Sequence, residues 1–371
     1  MKPLYVTKTF LPPFEEYCEL LRQIWDTHLV TNDGPFYQEF EKKLKEYTKL
    51  GHLACVGNGT LALQIALHAL EIVGKDVITT PFTHVSTSNC LIWERCHPVY
   101  ADIDPGTLNI DPVQIEAKIT PRTAAILAVH VYGNPCDVDA IADIAARHRL
   151  KVVYDGAHAF GVLCKGRSIF GYGDLSMTSF NATKGLHTVE GGALFAKDAE
   201  TIRQVRKLAY FGMDERKQIV QQWGMNAKMI EFCAALGIIN LRYLPASIQR
   251  RKALYERYLS LLAQNEKVRF QKLTGDINYS YMPVIFESRE CKRHVLKELA
   301  KDSIYPREYF YPSLEAVFSD RIECEVASDI ADRILCLPMS DYLSMEDVER
   351  VCANVNETCG KCEGVHTAHG L

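Results

Sequence analysis

Between residues 53 and 200 the apolar positions fall into two alternating rhythms. Short, nearly unbroken apolar runs predict strands: residues 76–80 (DVITT), ended by Pro81; 98–102 (PVYAD), closed by the turn Asp104-Pro105-Gly106; and 124–131 (AAILAVHV), bounded by Gly133-Asn134-Pro135. Residues 151–154 predict a further strand that stops at Asp155. Between them lie helical spacings. Residues 59–70 (GTLALQIALHAL) predict a helix with a buried face and Asn58 or Thr60 as N-cap, and 138–148 predict another. Strands apolar on both faces, alternating with helices, predict a largely parallel sheet covered on both sides.

Beyond about residue 225 the rhythm changes. Residues 226–243 predict one helix, and a second runs from Pro245 to about 265. After Gly275 come shorter elements, including a strand at 281–286 and a helix at 344–356. A chain of 371 residues is long for one core, so two domains are expected. The division predicted is a large domain over 1–239 with an N-terminal arm, and a smaller α+β domain over 240–371 whose tail loosens from about 357.

Composition narrows the class. Hydrophobic residues make up 47% and charged residues 24%, as in ordinary globular proteins. A net charge of −4 argues against a nucleic-acid partner. No apolar run is long enough for a membrane span, and the N-terminus lacks the apolar stretch of a signal peptide, so a cytoplasmic location is expected. The 13 cysteines are odd in number and scattered, which argues against a disulfide framework. The one CxxC, Cys359-Gly360-Lys361-Cys362, precedes His366 and His369. It reads either as metal ligands or as a polar terminal tail, and the tail is the reading adopted, with no metal expected.

The chemistry gathers where ligands bind in such folds, beyond the carboxyl ends of the strands. Asp155 stands there as the first charged residue after a buried strand. Lys184 follows small and hydroxyl residues in Ser179-Phe180-Asn181-Ala182-Thr183-Lys184, just ahead of Glu190-Gly191-Gly192 and another apolar run. Lysine forms Schiff bases with carbonyl substrates or with pyridoxal phosphate. A cofactor with a phosphate, a pyridine ring and an aldehyde needs a phosphate cradle, an acid at the ring nitrogen, a stacking surface and a lysine. Asn58-Gly59-Thr60 at a helix start fits a cradle, and equally an ordinary capped helix. Asp155 fits the acid, and equally an N-cap or an ion pair. His158 suits the phenolic oxygen or a structural role. His84, or else Phe82, offers the stacking face, and Ser179 a hydroxyl for the phosphate. A dinucleotide fold is disfavoured. Gly57-Asn58-Gly59 opens G-x-G-x-x-G, but no strand with an acidic end follows at the required distance.

The order of these pieces and their local words resemble the DegT/DnrJ/EryC1/StrS family of pyridoxal-phosphate-dependent sugar aminotransferases. The resemblance spans nearly the whole chain through GNGTLAL (57–63), TTPFTHVST (79–87), ADIDPGTLNIDP (101–112), VHVYGNPCD (129–137), YDGAHAFG (154–161), SFNATK (179–184), EGGA (190–193) and GMNAKMIEFCAALG (224–237). It implies a pyridoxal-phosphate-dependent transferase of fold type I, like aspartate aminotransferase. Lys184 would anchor the cofactor and shuttle protons, and Asp155 would pair with the pyridinium nitrogen. His158 would lie near the phenolic oxygen and His84 would stack on the ring. Gly59, Thr60 and Ser179 would hold the phosphate. Asn226 would reach the phosphate of a neighbouring subunit, which implies a homodimer with shared active sites. Asn32, Lys228, Tyr309 and Tyr311 are the substrate-contact candidates, and Arg216 and Lys217 lie close to Asn226. Two departures stand out. His84 replaces the usual phenylalanine or tryptophan and adds a titrating group, and Gly156 replaces alanine, read as a local loosening of the turn. Relatives that remove a hydroxyl carry histidine in place of the lysine, so Lys184 favours transamination. Thr31-Asn32-Asp33-Gly34-Pro35 and Arg307-Glu308-Tyr309-Phe310-Tyr311-Pro312 resemble the viosamine-forming branch. That branch converts dTDP-4-dehydro-6-deoxyglucose to the 4-amino sugar with L-glutamate as donor and pyridoxamine phosphate as the intermediate cofactor form. A C3 aminotransferase or a sugar dehydratase of the same fold is the alternative.

Overall fold

The computed structural model describes residues 3–214, 216–319 and 321–362. A seven-stranded sheet runs in the order Leu53–Val56, Gly192–Ala196, Leu175–Ser179, Lys151–Asp155, Thr123–Val129, Asp76–Thr79, His97–Tyr100. Gly192–Ala196 is antiparallel to both its neighbours, and every other pairing in this sheet is parallel. Alternate side chains of the same strands enter two separate cores. Val56, Val77, Leu127 and Met177 pack on the side of helices Gly59–Ala69 and Ala199–Ala209. Cys55, Ile78, Ile126 and Phe195 pack on the side of Pro35–Thr48, Val138–His148 and Glu231–Leu262. A sheet buried on both faces needs strands that are apolar at every position, and this is why the runs in the sequence are unbroken.

The smaller core is built on an antiparallel sheet of Val268–Phe270, Met282–Phe286 and Ile334–Leu337. Helices Arg289–Lys301 and Met345–Lys361 and the distal half of Glu231–Leu262 close over it, burying Tyr258, Val284, Phe286, Val295, Leu299 and Val355.

Three expectations are corrected. Residues 226–230 are not helical, and the helix begins at Glu231 and runs unbroken for 32 residues with Pro245 inside it. A proline in a helix interior forfeits one hydrogen bond and crowds the preceding turn. Here Leu241 and Leu244 before it, and Leu254 and Tyr255 after it, are each locked in a core, so packing outweighs that loss. A boundary at residue 240 therefore cuts a continuous helix. The terminal helix also extends to Lys361 with Cys359 buried, so no loosening begins at 357. The N-terminal arm, finally, joins the small core. Leu4–Tyr5 pairs in parallel with Ile304–Tyr305, and Leu4 is buried among the small core's residues.

Candidate active site

A cavity of about 600 Å³ opens beyond the carboxyl ends of the parallel strands. Gly59, Thr60, His84, Asp155, His158, Ser179 and Lys184, all predicted from the sequence, line it together. They come from separate elements that only the sheet brings to one edge.

Asp155 ends its strand and is buried. Thr87 Oγ1 donates to its Oδ2 at 3.0 Å and the Ala157 N–H to its Oδ1 at 3.0 Å. An ionised carboxylate accepts only, so the Thr87 proton is committed to it; Thr83 Oγ1, 3.1 Å from Thr87 Oγ1, is then the donor of that second contact. Gly156 next in the chain is fixed by space rather than loosened. A Cβ there would sit 2.6 Å from Phe170 Cε1 and 2.9 Å from the Met177 carbonyl.

Lys184 rides on a loop tied shut at its base by Phe180 N to Gly191 O at 2.8 Å and Thr188 N to Phe180 O at 2.9 Å. Thr183 spends its hydroxyl on Asn181 Oδ1, at 2.9 Å, within this loop. The Lys184 Nζ lies 3.5 Å from Tyr281 Oη. Burial lowers its pKa from 10.5 to about 8, and the Asp155 carboxylate pulls the other way.

Both histidines are pushed toward the neutral form. Burial, then the charge of Lys184, pushes His158 well below its ordinary range. Its Nδ1 accepts from the Tyr132 N–H at 3.2 Å, which leaves Nε2 carrying the proton as a donor. His84 caps helix Val85–Trp93 by accepting the Ser86 N–H at 3.2 Å. Its pKa is lowered by burial and by Lys184, with Asp155 opposing. The titrating group expected beside a cofactor ring is thereby biased toward an uncharged face.

At the other end, Asn58 Oδ1 accepts from Leu61 N at 2.9 Å, so Asn58 and not Thr60 is the cap of Gly59–Ala69. A Cβ on Gly59 would lie 2.9 Å from Ser179 Cβ and 3.3 Å from Ser179 Oγ. Glycine therefore keeps open a small hollow between a helix N-terminus and a hydroxyl, which suits a phosphate. A carboxylate, a lysine of lowered pKa, a neutral imidazole face and an anion cradle around one cavity fit pyridoxal phosphate on this chain's own geometry.

The cavity holds Tyr309 among the four substrate candidates, and the others lie elsewhere in the chain. Asn32 and Lys228 line a second, basic cavity of about 550 Å³ that shares no residue with the first. Arg216 and Lys217 line it as well. Asn226, expected at a phosphate, accepts from Lys228 Nζ at 2.6 Å and is absent from the Lys184 cavity of its own chain. Tyr311 lines neither cavity. Its Oη takes a hydrogen bond from Arg289 at 3.0 Å, and Lys292 Nζ stands 4.8 Å from its ring centre. Thr87, Tyr281 and Phe310 were missed by sequence reasoning. Thr87 had a signal, since it belongs to the same TTPFTHVST stretch as His84, whereas Tyr281 and Phe310 reach the site from the small core's side of the chain.

Fold and site together define a pyridoxal-phosphate-dependent transferase of fold type I, with a mostly parallel sheet. The family profile described as the DegT/DnrJ/EryC1/StrS aminotransferase family matches residues 14–356, and the chain belongs to that family. It is 40% identical over 365 residues to a dTDP-4-amino-4,6-dideoxy-D-glucose transaminase of Shigella dysenteriae, covering 96% of this chain and 99% of that one. Among solved structures it is similar to DesI in the presence of its TDP-sugar product, with a TM-score of 0.92 and 30% identity over 98% of this chain and 94% of the other. It is also similar to NtdA from Bacillus subtilis with bound cofactor PMP, with a TM-score of 0.85 and 26% identity over 93% and 82% of the two chains. The enzyme is thus a pyridoxal-phosphate-dependent aminotransferase. Among the described residues no helix is long and apolar enough to cross a membrane.

Proposed function

We propose that this enzyme transfers an amino group from L-glutamate to C4 of dTDP-4-dehydro-6-deoxy-D-glucose, forming dTDP-4-amino-4,6-dideoxy-D-glucose. The observation that carries the reading is Lys184, with a pKa of about 8, facing Asp155 across one cavity with an anion cradle. The near full-length likeness to the Shigella transaminase supports the choice of substrate.

When bound, pyridoxal phosphate supplies the electron sink for the carbanionic charge left by loss of a proton next to nitrogen. The protein's groups do the rest. The Gly59–Ala69 N-terminus and Ser179 hold the phosphate dianion. Asp155, oriented by Thr87 and the Ala157 N–H, keeps the ring nitrogen protonated. His158, with Nε2 left as a donor, would meet the phenolic oxygen, and His84 would supply a stacking face for the ring. Lys184 anchors the cofactor. Once displaced by the donor amine, its Nζ would take the proton from the donor's α-carbon and return it on the far side of the transferring nitrogen. In the second half-reaction the same Nζ moves protons in reverse and delivers one to the sugar carbon. A base used in both directions serves best with a pKa near the working pH.

The active unit in this proposal is a homodimer, in which Asn226, Lys228 and Asn32 face the partner's cofactor cavity. The exposed Trp93, Ile219 and Trp223, at 80%, 75% and 74% accessibility in the single chain, support a covered surface. Thirteen free thiols support a reducing, cytoplasmic setting.

The test is incubation of purified enzyme with glutamate and the 4-keto sugar nucleotide, followed by NMR of the product. The expected result is an amine on C4 with one 2-oxoglutarate per sugar. An amine on C3, or loss of a hydroxyl with no nitrogen gained, refutes the assignment.

A further inference from the structure

The stretch of chain ahead of helix Phe14–Thr27 is a strap laid across the Lys184 loop. It is tied down on both sides of Thr7. Before it, Val6 O accepts from the Met339 N–H at 3.0 Å. After it, Lys8 Nζ stands 4.2 Å from the centre of the Tyr342 ring, and Thr9 Oγ1 donates to Ala182 O at 3.0 Å, inside the loop that carries Lys184. His187 Nδ1 accepts from the Val189 N–H at 3.3 Å, so its Nε2 carries the proton and donates to Phe10 O at 2.6 Å. Thr7 lines the Lys184 cavity between these anchors. It also lines a void of about 10 Å³ shared with Lys184 and Gly185, which puts the strap against the reacting lysine.

The Thr7 hydroxyl is uncommitted, and its neighbours are not. Ser86 Oγ is 2.8 Å from His84 Nδ1, and Thr183 Oγ1 donates to Asn181 Oδ1 at 2.9 Å. Asn181 Nδ2 donates to Glu190 Oε1 at 2.7 Å, and Tyr281 Oη faces Lys184 Nζ at 3.5 Å. Among the described residues, Thr7 Oγ1 and Tyr309 Oη line the cavity without a hydrogen-bond partner. Tyr309 packs edge-on against Tyr281 at 6.3 Å between ring centres, and Tyr281 holds the place beside Lys184 Nζ. Thr7 is thus the free hydroxyl on the strap beside Lys184. Neutral hydroxyls suit the hydroxyls of a hexose better than the two carboxylates of glutamate, which call for cations.

We propose that Thr7 Oγ1 hydrogen-bonds the substrate hexose at the hydroxyl next to the reacting carbonyl, and so selects a sugar that carries one. The inference rests on the substrate reading above. In that sugar C4 is the carbonyl, C5 bears the methyl-bearing side and C3 bears a hydroxyl, so the group in question is the C3 hydroxyl. No covalent step is assigned to Thr7. It fixes the sugar so that C4 faces Lys184, the group that delivers the proton there.

The test is a cycle between protein and substrate in the full-length holoenzyme. Wild type, Thr7→Val, Thr7→Ser and Tyr309→Phe are assayed with the 4-keto sugar nucleotide and with its analogue lacking the C3 hydroxyl. Wild type is expected to favour the natural substrate in kcat/KM by about 3- to 10-fold, the worth of one neutral hydrogen bond. Thr7→Val loses that preference, Thr7→Ser restores it and Tyr309→Phe keeps it. Calorimetric titration with the C4-amino product gives the same loss of about 3- to 10-fold in affinity for Thr7→Val. A preference that survives in Thr7→Val, or one that disappears in Tyr309→Phe alone, overturns the contact. Wild type that yields no C4 amine, while glutamate still converts the cofactor, fails the substrate reading and this contact with it. A C4 amine together with an intact preference in Thr7→Val fails the contact alone.

Discussion

Replacing Asp155 with asparagine should move two properties of this enzyme in opposite directions. Burial brings Lys184 from 10.5 to about 8, while the Asp155 carboxylate holds it higher than burial alone would. At pH 8 roughly half of Lys184 is then a neutral amine, against roughly 0.3% for an unperturbed lysine, so reactive amine is enriched about 150-fold. Capture of pyridoxal phosphate by the apoenzyme should therefore quicken about tenfold per pH unit below 8 and level off above it. Without the carboxylate the inflection moves to lower pH, and capture at pH 7 becomes faster. Turnover should fall nonetheless, because in the proposed function Asp155 is the anion that keeps the ring nitrogen protonated. The assay is stopped-flow absorbance of apoenzyme mixed with cofactor across about pH 7 to 10, wild type beside Asp155→Asn, with steady-state transamination in parallel. The reasoning is refuted if the wild-type rate keeps rising through pH 9, or if the variant's inflection moves upward. Stability carries the same signature. Between about pH 8 and 10.5 the unfolded apoenzyme holds a proton on this lysine that the folded one has shed, so the folded state gains up to about 3 kcal/mol as pH rises through that window.

Thr87→Val removes one of two donors to a buried carboxylate. Chemical denaturation of the apoenzyme at neutral pH should show a loss of about 1.5–3 kcal/mol, and Thr87→Ser, which restores the hydroxyl, should recover most of it. Gly59→Ala puts a methyl group in the hollow beside Ser179, and equilibrium titration should give cofactor binding at least about tenfold weaker while circular dichroism of the apoenzyme is unchanged. Arg251 and Asp341 form a 2.7 Å ion pair with both side chains 8% exposed. Arg251→Met leaves Asp341 buried without its partner and should destabilise the fold by about 3–5 kcal/mol in urea unfolding. Tyr281→Phe removes the hydroxyl beside Lys184 Nζ; turnover should fall more than KM changes, and an equal rise in KM alone would show that the hydroxyl serves binding only.

Much of this protein was legible along the chain because its determinants are local. A sheet covered on both faces requires strands with no polar side, and the runs at 76–80, 124–131 and 151–154 carry that requirement openly. Asp155 and Lys184 were legible for a related reason. A charge placed directly after, or shortly before, a buried strand must sit at the sheet's edge. What the sequence could not express is anything that depends on which distant segments meet. The helix through Pro245 is continuous because two different cores grip its two halves, and propensity read locally ends it there. Gly156 looked like a looser alanine until Phe170 was seen to fill the space of its missing methyl group. Thr87 and Tyr281 became site residues only when chain segments 68 and 97 positions from their partners were folded onto one cavity. The terminal CxxC, ambiguous by itself, packs against Cys291 and His294 of helix Arg289–Lys301. Hydrophobic period and residue type decided the elements and the chemical parts; the long-range contacts, which have no sequence period, decided how those parts face one another.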